Sequence, residues 1–216
     1  MENKSTSYRK KCLRCMRPES SCMCSYIQKV STKTKFVILI HPMEFKKVKN
    51  NTGRMTYLSL ENSEFIMEED CTNNKRINQL ISEYNCYVLY PCEASTNLHT
   101  EKIPTDKNNL IFIIDATWPC SRKLMKLSKN LQSLPRLSFN TTQESIYEIK
   151  KQPKKFHLST IESTKVVLEC LKDEKISKEK LNRFLDPFKK MIEYQKSCEN
   201  DPNRTGYRRK IINLER

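Results

Sequence analysis

Apolar residues gather in short unbroken runs separated by amphipathic stretches. Leu110–Ile114 and Phe36–Ile40 are such runs, rich in β-branched side chains. They read as strands buried on both faces, as in a parallel sheet. Tyr87–Tyr90 reads as a third strand and Arg136–Phe139 as a further short one. Between them, Asn74–Tyr84 carries Ile77, Leu80, Ile81 and Tyr84 at the spacing of one helix face, and Arg54–Leu60 is helix-like. Another helix follows Thr117, has Pro119 in its first turn, continues through Leu124, Leu127 and Leu131, and stops before Pro135. Ser159 or Thr160 followed by Glu162 opens a helix with apolar Val167, Leu168 and Leu171. A last amphipathic helix starts at Ser177 and sets Leu181, Phe184, Leu185, Phe188 and Ile192 on one face. Lys46–Arg54, Ser95–Asn109 and Lys150–Lys155 read as loops. This alternation predicts an α/β domain, a parallel sheet with right-handed crossovers flanked by helices.

Open α/β sheets place their chemistry at the carboxyl ends of strands. The run Leu110–Ile114 ends at Asp115, so a carboxylate, the Thr117 hydroxyl and the single tryptophan, Trp118, converge where a site is expected. The plainer reading of the same residues is that Asp115 caps the helix and Trp118 fills the core. The loop closing with Asn51-Thr-Gly-Arg54 precedes a helix, and a helix start with an arginine nearby suits a carboxylate or phosphate. His41, alone after a strand, reads first as structural.

Composition adds a partner and a metal. The 216 residues suffice for one sizeable domain and a small appendage. The net charge of +15 is spread over Arg9–Lys11, Lys46–Lys49, Lys150–Lys155 and Arg204–Lys210. A basic surface of this kind favours a polyanion, most often nucleic acid, although a Lys-rich composition alone produces it too. The candidates for RNA contact are Arg9, Lys10, Lys11, Lys150, Lys151, Lys154 and Lys155, and Tyr207 lies between basic residues in the tail. The polar N-terminus predicts no signal peptide, and no apolar run approaches a membrane span, so a cytoplasmic protein is expected. In such a compartment ten cysteines call for an account other than disulfides. Cys12, Cys15, Cys22 and Cys24 have the spacing of a tetrahedral thiolate site, which predicts a structural zinc in a knuckle within residues 1–30, a basic arm preceding it. A redox pair or unrelated thiols are the alternatives. With only two glycines, Gly53 and Gly206, neither G-x-G-x-x-G nor a Walker A loop can be written.

Asp115-Ala-Thr-Trp118 resembles the signature of the DTW-domain family. Four further stretches fit in order: the cysteine knuckle, His41-Pro-x-Glu44 with Asn51-Thr-Gly-Arg54, Leu89-Tyr-Pro91 followed by Glu93-Ala94, and Leu158-Ser-Thr-x-Glu162. The chain departs from the family's usual Gly at Cys92 and Ala116, and from its usual Ala at Ser163. The resemblance implies a tRNA-uridine aminocarboxypropyltransferase over residues 31–216, using S-adenosyl-L-methionine and releasing methylthioadenosine. It further implies a SPOUT-like fold with a C-terminal trefoil knot, whose loop backbones hold the cofactor. On that reading Leu89, Tyr90, Pro91, Asp115, Ala116, Thr117, Leu158, Ser159 and Thr160 cradle adenosine and ribose. Trp118 stacks on adenine or uracil or packs in the core, and Glu162 and Glu44 orient the amino group or cap helices. Asp115 takes the uridine N3 proton as general base, and Arg54 holds the aminoacid carboxylate. Two other functions fit the same residues: a SPOUT-like RNA methyltransferase, and a non-catalytic zinc-knuckle RNA-binding protein. The oligomeric state is left open.

Overall fold

The structure, a computed structural model, describes residues 10–47, 51–104, 108–149 and 157–201. Arg9, Lys49, the basic loop with Lys150, Lys151, Lys154 and Lys155, and the tail from Arg204 lie outside the described residues.

Six strands form one sheet, and every neighbouring pair is parallel. They are β1 (Lys35–Ile40), β2 (Ser63–Met67), β3 (Asn85–Leu89), β4 (Thr96–Asn97), β5 (Asn109–Asp115) and β6 (Arg136–Ser138), in the order β2-β1-β5-β3-β6-β4. The strand ending in Asp115 is therefore central, with Ile38 opposite Ile113 on one side and Val88 opposite Phe112 on the other. Successive side chains of a strand point to opposite faces, and here both faces are covered. Ile111 and Ile113 join Phe36 and Ile38 in a core closed by α2 (Thr52–Leu58), α6 (Thr160–Leu171) and α8 (Asp186–Asn200), through Met55, Ile161, Val167, Phe188 and Met191. Leu110 and Phe112 join Val37 and Leu39 against α3 (Lys75–Glu83), α4 (Trp118–Leu127) and α5 (Lys129–Gln132), through Ile77, Leu80, Leu124 and Leu131. Burial on both faces is the reason these strands are unbroken apolar runs rather than alternating ones.

The structure departs from the sequence pattern in several places. A short helix, α1 (Pro42–Lys47), stands where a loop begins in the sequence reading, and α2 starts two residues before Arg54. The helix after Thr117 breaks at Ser128, which is fully buried and whose hydroxyl accepts the backbone N–H of Cys71 at 2.9 Å. Leu127 is exposed as a result. The last helix is two, α7 (Lys178–Asn182) and α8, with Phe184 and Leu185 between them in the core. From the knuckle segment, Met23 and Val30 join the core with Met55 of α2 and Phe188 of α8. No helix among the described residues is long and apolar enough to cross a membrane.

Candidate active site and metal centre

The central strand β5 ends at Asp115, which pairs with Ile40 at the end of β1 and is only 6 % exposed. Its Oδ1 accepts the Thr160 hydroxyl at 2.5 Å, and its Oδ2 accepts the Asn51 amide at 2.6 Å. The Asn51 carbonyl oxygen in turn accepts the Arg54 backbone N–H at 2.7 Å, capping α2 and fixing which end of the amide faces Asp115. Asp115 thus ties the starts of α2 and α6 to the central strand. It does not cap the helix that follows it. Thr117 takes that N-cap position without a side-chain hydrogen bond.

Gly53 makes this arrangement possible. A Cβ built there would stand 2.4 Å from Cγ and 2.5 Å from Oδ2 of Asp115. Alanine in place of a helical glycine ordinarily gains about 0.5–1 kcal/mol. Here the overlap reverses the sign. Gly53→Ala is expected to lower the urea midpoint by about 1–3 kcal/mol in stability and to displace Asp115, with activity falling further than stability alone explains.

Beside Asp115 lies a cavity of about 330 Å³, within the size range of small-molecule sites. Leu89, Tyr90, Pro91, Ala116, Trp118, Leu158 and Thr160 line it, bringing together three segments far apart in sequence, while Asp115, Thr117 and Ser159 are not among its lining residues. Trp118 is at the rim, 39 % exposed, and does not fill the core. Its indole N–H donates to His157 Nδ1 at 3.2 Å, and Tyr90 meets its ring edge-on at 6.4 Å between centroids. His157 and Phe139 also line the cavity and are not among the site residues read from the sequence; Ser163, where the family usually has Ala, lines it too.

Other expected residues lie elsewhere. Glu162 is buried and its carboxylate is fully used: it accepts the N–H and hydroxyl of Ser159, the Ser145 hydroxyl and the Ile146 N–H, all at 2.6–2.8 Å. Ser159 and Glu162 form a capping box on α6. Glu44 sits in the first turn of α1. Arg54 does not line the cavity. Its guanidinium stands over the rings of Phe45 and Phe65, 5.2 and 5.0 Å from their centroids. His41 is buried, with Nδ1 accepting the Met43 N–H and Nε2 3.3 Å from Glu69, a structural role. Burial pushes the Tyr147 hydroxyl up to about 12, so that neighbouring phenol is no proton acceptor at neutral pH.

The sulfurs of Cys12, Cys15, Cys22 and Cys24 all lie within 4.8 Å of one another, and Cys12–Cys24 and Cys15–Cys22 are each 3.7 Å apart. A tetrahedral ion with metal–sulfur bonds of about 2.3 Å requires sulfur–sulfur edges of about 3.8 Å. The four cysteines therefore could hold a metal ion. The backbone N–H groups of Cys15 and Arg14 hold the Cys12 thiol down near 6, while burial pushes the Cys22 and Cys24 thiols up. Met16 closes the turn at a φ of 61°, in the left-handed region. Of the basic candidates, Lys10 and Lys11 are exposed at this knuckle.

Comparison with known proteins agrees with this geometry. The model of the DTW domain matches residues 9–196. The chain is similar to tRNA-uridine aminocarboxypropyltransferase 2 of Drosophila melanogaster, 26% identical over 87% of this chain and 75% of the fly protein. It is also similar to the proteins of that name from Macaca fascicularis and Mus musculus, 25% and 24% identical over 82% of this chain. It spans 61% of the length of each of those two relatives. No solved structure matches. With the family model covering the knuckle, the sheet and all three cavity-lining segments, the chain belongs to the DTW domain family.

Proposed function

We propose that this chain transfers the aminocarboxypropyl group of S-adenosyl-L-methionine to N3 of a uridine in tRNA, releasing methylthioadenosine. The observation that carries the reading is the cavity beside Asp115, built from the Leu89, Asp115 and Leu158 segments. The printed names of the fly, macaque and mouse relatives point the same way. The cavity is of a size for adenosine, and its Trp118–His157–Tyr90 rim offers ring faces for stacking. A strand order that brings the segment after β6 back onto β5, so that Thr160 reaches Asp115, supports a SPOUT-like trefoil knot as the source of this shape.

When bound, the donor supplies a sulfonium whose attached carbons are activated for transfer. Asp115 accepts the N3 proton. A bond forms from N3 to the terminal propyl carbon as that carbon's bond to sulfur breaks, its electron pair remaining on sulfur. Asn51 and Thr160 hold the carboxylate in place, one on each oxygen. Arg54 borders a neighbouring cleft. To hold the donor carboxylate there, it requires the aminoacid arm to run past Asp115, which turns the propyl carbon rather than the methyl toward the acceptor. Zinc is the metal we assign to the cysteines, in a structural role, because four thiolates leave no position for water. Lys10 and Lys11, with the basic residues outside the described part, supply contacts to RNA phosphates. A reducing compartment such as the cytoplasm keeps these thiols available to the metal.

Paired incubations test the reaction. Carboxyl-labelled S-adenosylmethionine is expected to label tRNA and methyl-labelled donor is not, while methylthioadenosine accumulates. Methyl label in tRNA with S-adenosylhomocysteine formed would make the protein an RNA methyltransferase. Absence of both labels from tRNA that still binds would leave a binding module.

A further inference from the structure

A second cleft, of about 310 Å³, lies between the cysteine knuckle and α2. Asn51, Arg54, Phe45, Met55, Met16 and Lys11 are among its lining residues. We infer that this cleft receives the acceptor uracil, turned out of its RNA, so that the donor's adenosine and the acceptor occupy separate pockets with Asp115 between them, bonded to a lining residue of each. The inference deepens the transferase reading and rests on it for the identity of the donor.

Three observations carry it. The first is connectivity at Asp115. Thr160 lines the donor cavity and bonds Oδ1, while Asn51 lines the second cleft and bonds Oδ2. A base that takes a proton from one reactant as it meets the other must lie between both, and this carboxylate bonds a lining residue of each. The second is the chemistry of the walls. Phe45 and Met16 are large apolar side chains left 42 % and 51 % exposed at this cleft. The Arg54 guanidinium stands over the Phe45 ring, 5.2 Å from its centroid, so ring and guanidinium together edge the cleft with planar groups on which a base can stack. The third is charge. Lys11 of the knuckle lines the cleft and suits a phosphate beside an extruded nucleotide, which leaves Arg54 of α2 to the donor carboxylate. The larger cavity, of about 580 Å³, fits none of this: Lys33, Asn109 and Lys172 line it at the amino ends of the strands, away from Asp115.

The cleft gives the knuckle a role beyond stability. Cys15 and Met16 form part of its wall, so the metal centre shapes the acceptor pocket directly.

The test uses full-length protein and a tRNA transcript carrying 5-bromouridine in place of uridine. Irradiation is expected to crosslink the RNA within the peptide containing Phe45 or that containing Met55. Phe45→Ala is expected to raise KM for tRNA roughly 10- to 100-fold, with Phe45→Tyr restoring it and S-adenosylmethionine affinity by calorimetry unchanged in both. Crosslinks confined to Tyr90 or Trp118, or an unaltered KM for Phe45→Ala, would overturn the inference. Crosslinking at Phe45 in a wild type that does not bind the donor would uphold the cleft while overturning the donor reading, so the two fail separately.

Discussion

Asp115→Asn is expected to keep the fold and the donor affinity and to lose about 10²- to 10⁴-fold in turnover, the usual worth of a general base. The substitution is close to isosteric, and both partners can adapt to it. The new amide oxygen still accepts from Asn51. The new amide nitrogen turns to Thr160, whose hydroxyl changes from donor to acceptor. The clamp between β5, α2 and α6 therefore survives, which separates this change from Asp115→Ala. Alanine would leave the Asn51 amide and the Thr160 hydroxyl without their acceptor, at about 1–3 kcal/mol for each group that stays buried. The measurement is kcat with saturating donor and tRNA, alongside donor binding by calorimetry and thermal melting. A fall in kcat with unchanged binding and melting marks a group acting on the proton. Near-normal kcat would reduce Asp115 to a structural clamp, which its two hydrogen bonds also fit.

Asp115 shows what was legible in the sequence. The ends of the apolar runs pointed to a candidate site at Asp115, and three of the segments named by motif supply Leu89, Ala116 and Leu158 to one cavity. The carboxylate's own partners were not legible. Asn51 is 64 residues away and Thr160 is 45, and no local spacing encodes a contact across a sheet. Asn51 read only as part of a loop, although Gly53 beside it, one of two glycines in the chain, was the available signal of a close approach. Strand β2 was missed because Glu64 sits in it. A carboxylate in a strand counts against the pattern, but Lys35 from β1 and Arg76 from α3 pair with it, at 3.1 and 2.6 Å, and Arg76 above all holds its carboxyl down near 2. The expected helix through Leu131 failed for a similar reason. The Ser128 hydroxyl accepts the Cys71 backbone N–H, a tertiary bond that local propensity does not count. In each case a contact distant in sequence decided what periodicity alone left undetermined.

Removing the metal is expected to be the more far-reaching change. Purified protein should carry about one equivalent of zinc, and replacing Cys12 and Cys15 together with Ser should abolish it. The 3.7 Å sulfur spacings already match the edges of a thiolate tetrahedron, so little of the binding free energy is spent on reorganising the ligands. An ion present at about 1,000 times its dissociation constant stabilises the folded state by about 4 kcal/mol. At roughly 2–4 °C per kcal/mol for a chain of this size, chelation should lower the melting temperature by roughly 8–16 °C. The effect should not stay in the knuckle. Met23, between two of the cysteines, is buried in the core with Met55, and Cys15 and Met16 wall the cleft assigned to the acceptor. Loosening the knuckle should thus raise KM for tRNA well before it weakens donor binding, since the donor cavity is built from other segments. Equal loss of both affinities would mean that the metal supports only global folding. A metal-free wild type with unchanged melting and unchanged KM for tRNA would remove both the zinc assignment and the knuckle's part in the acceptor cleft.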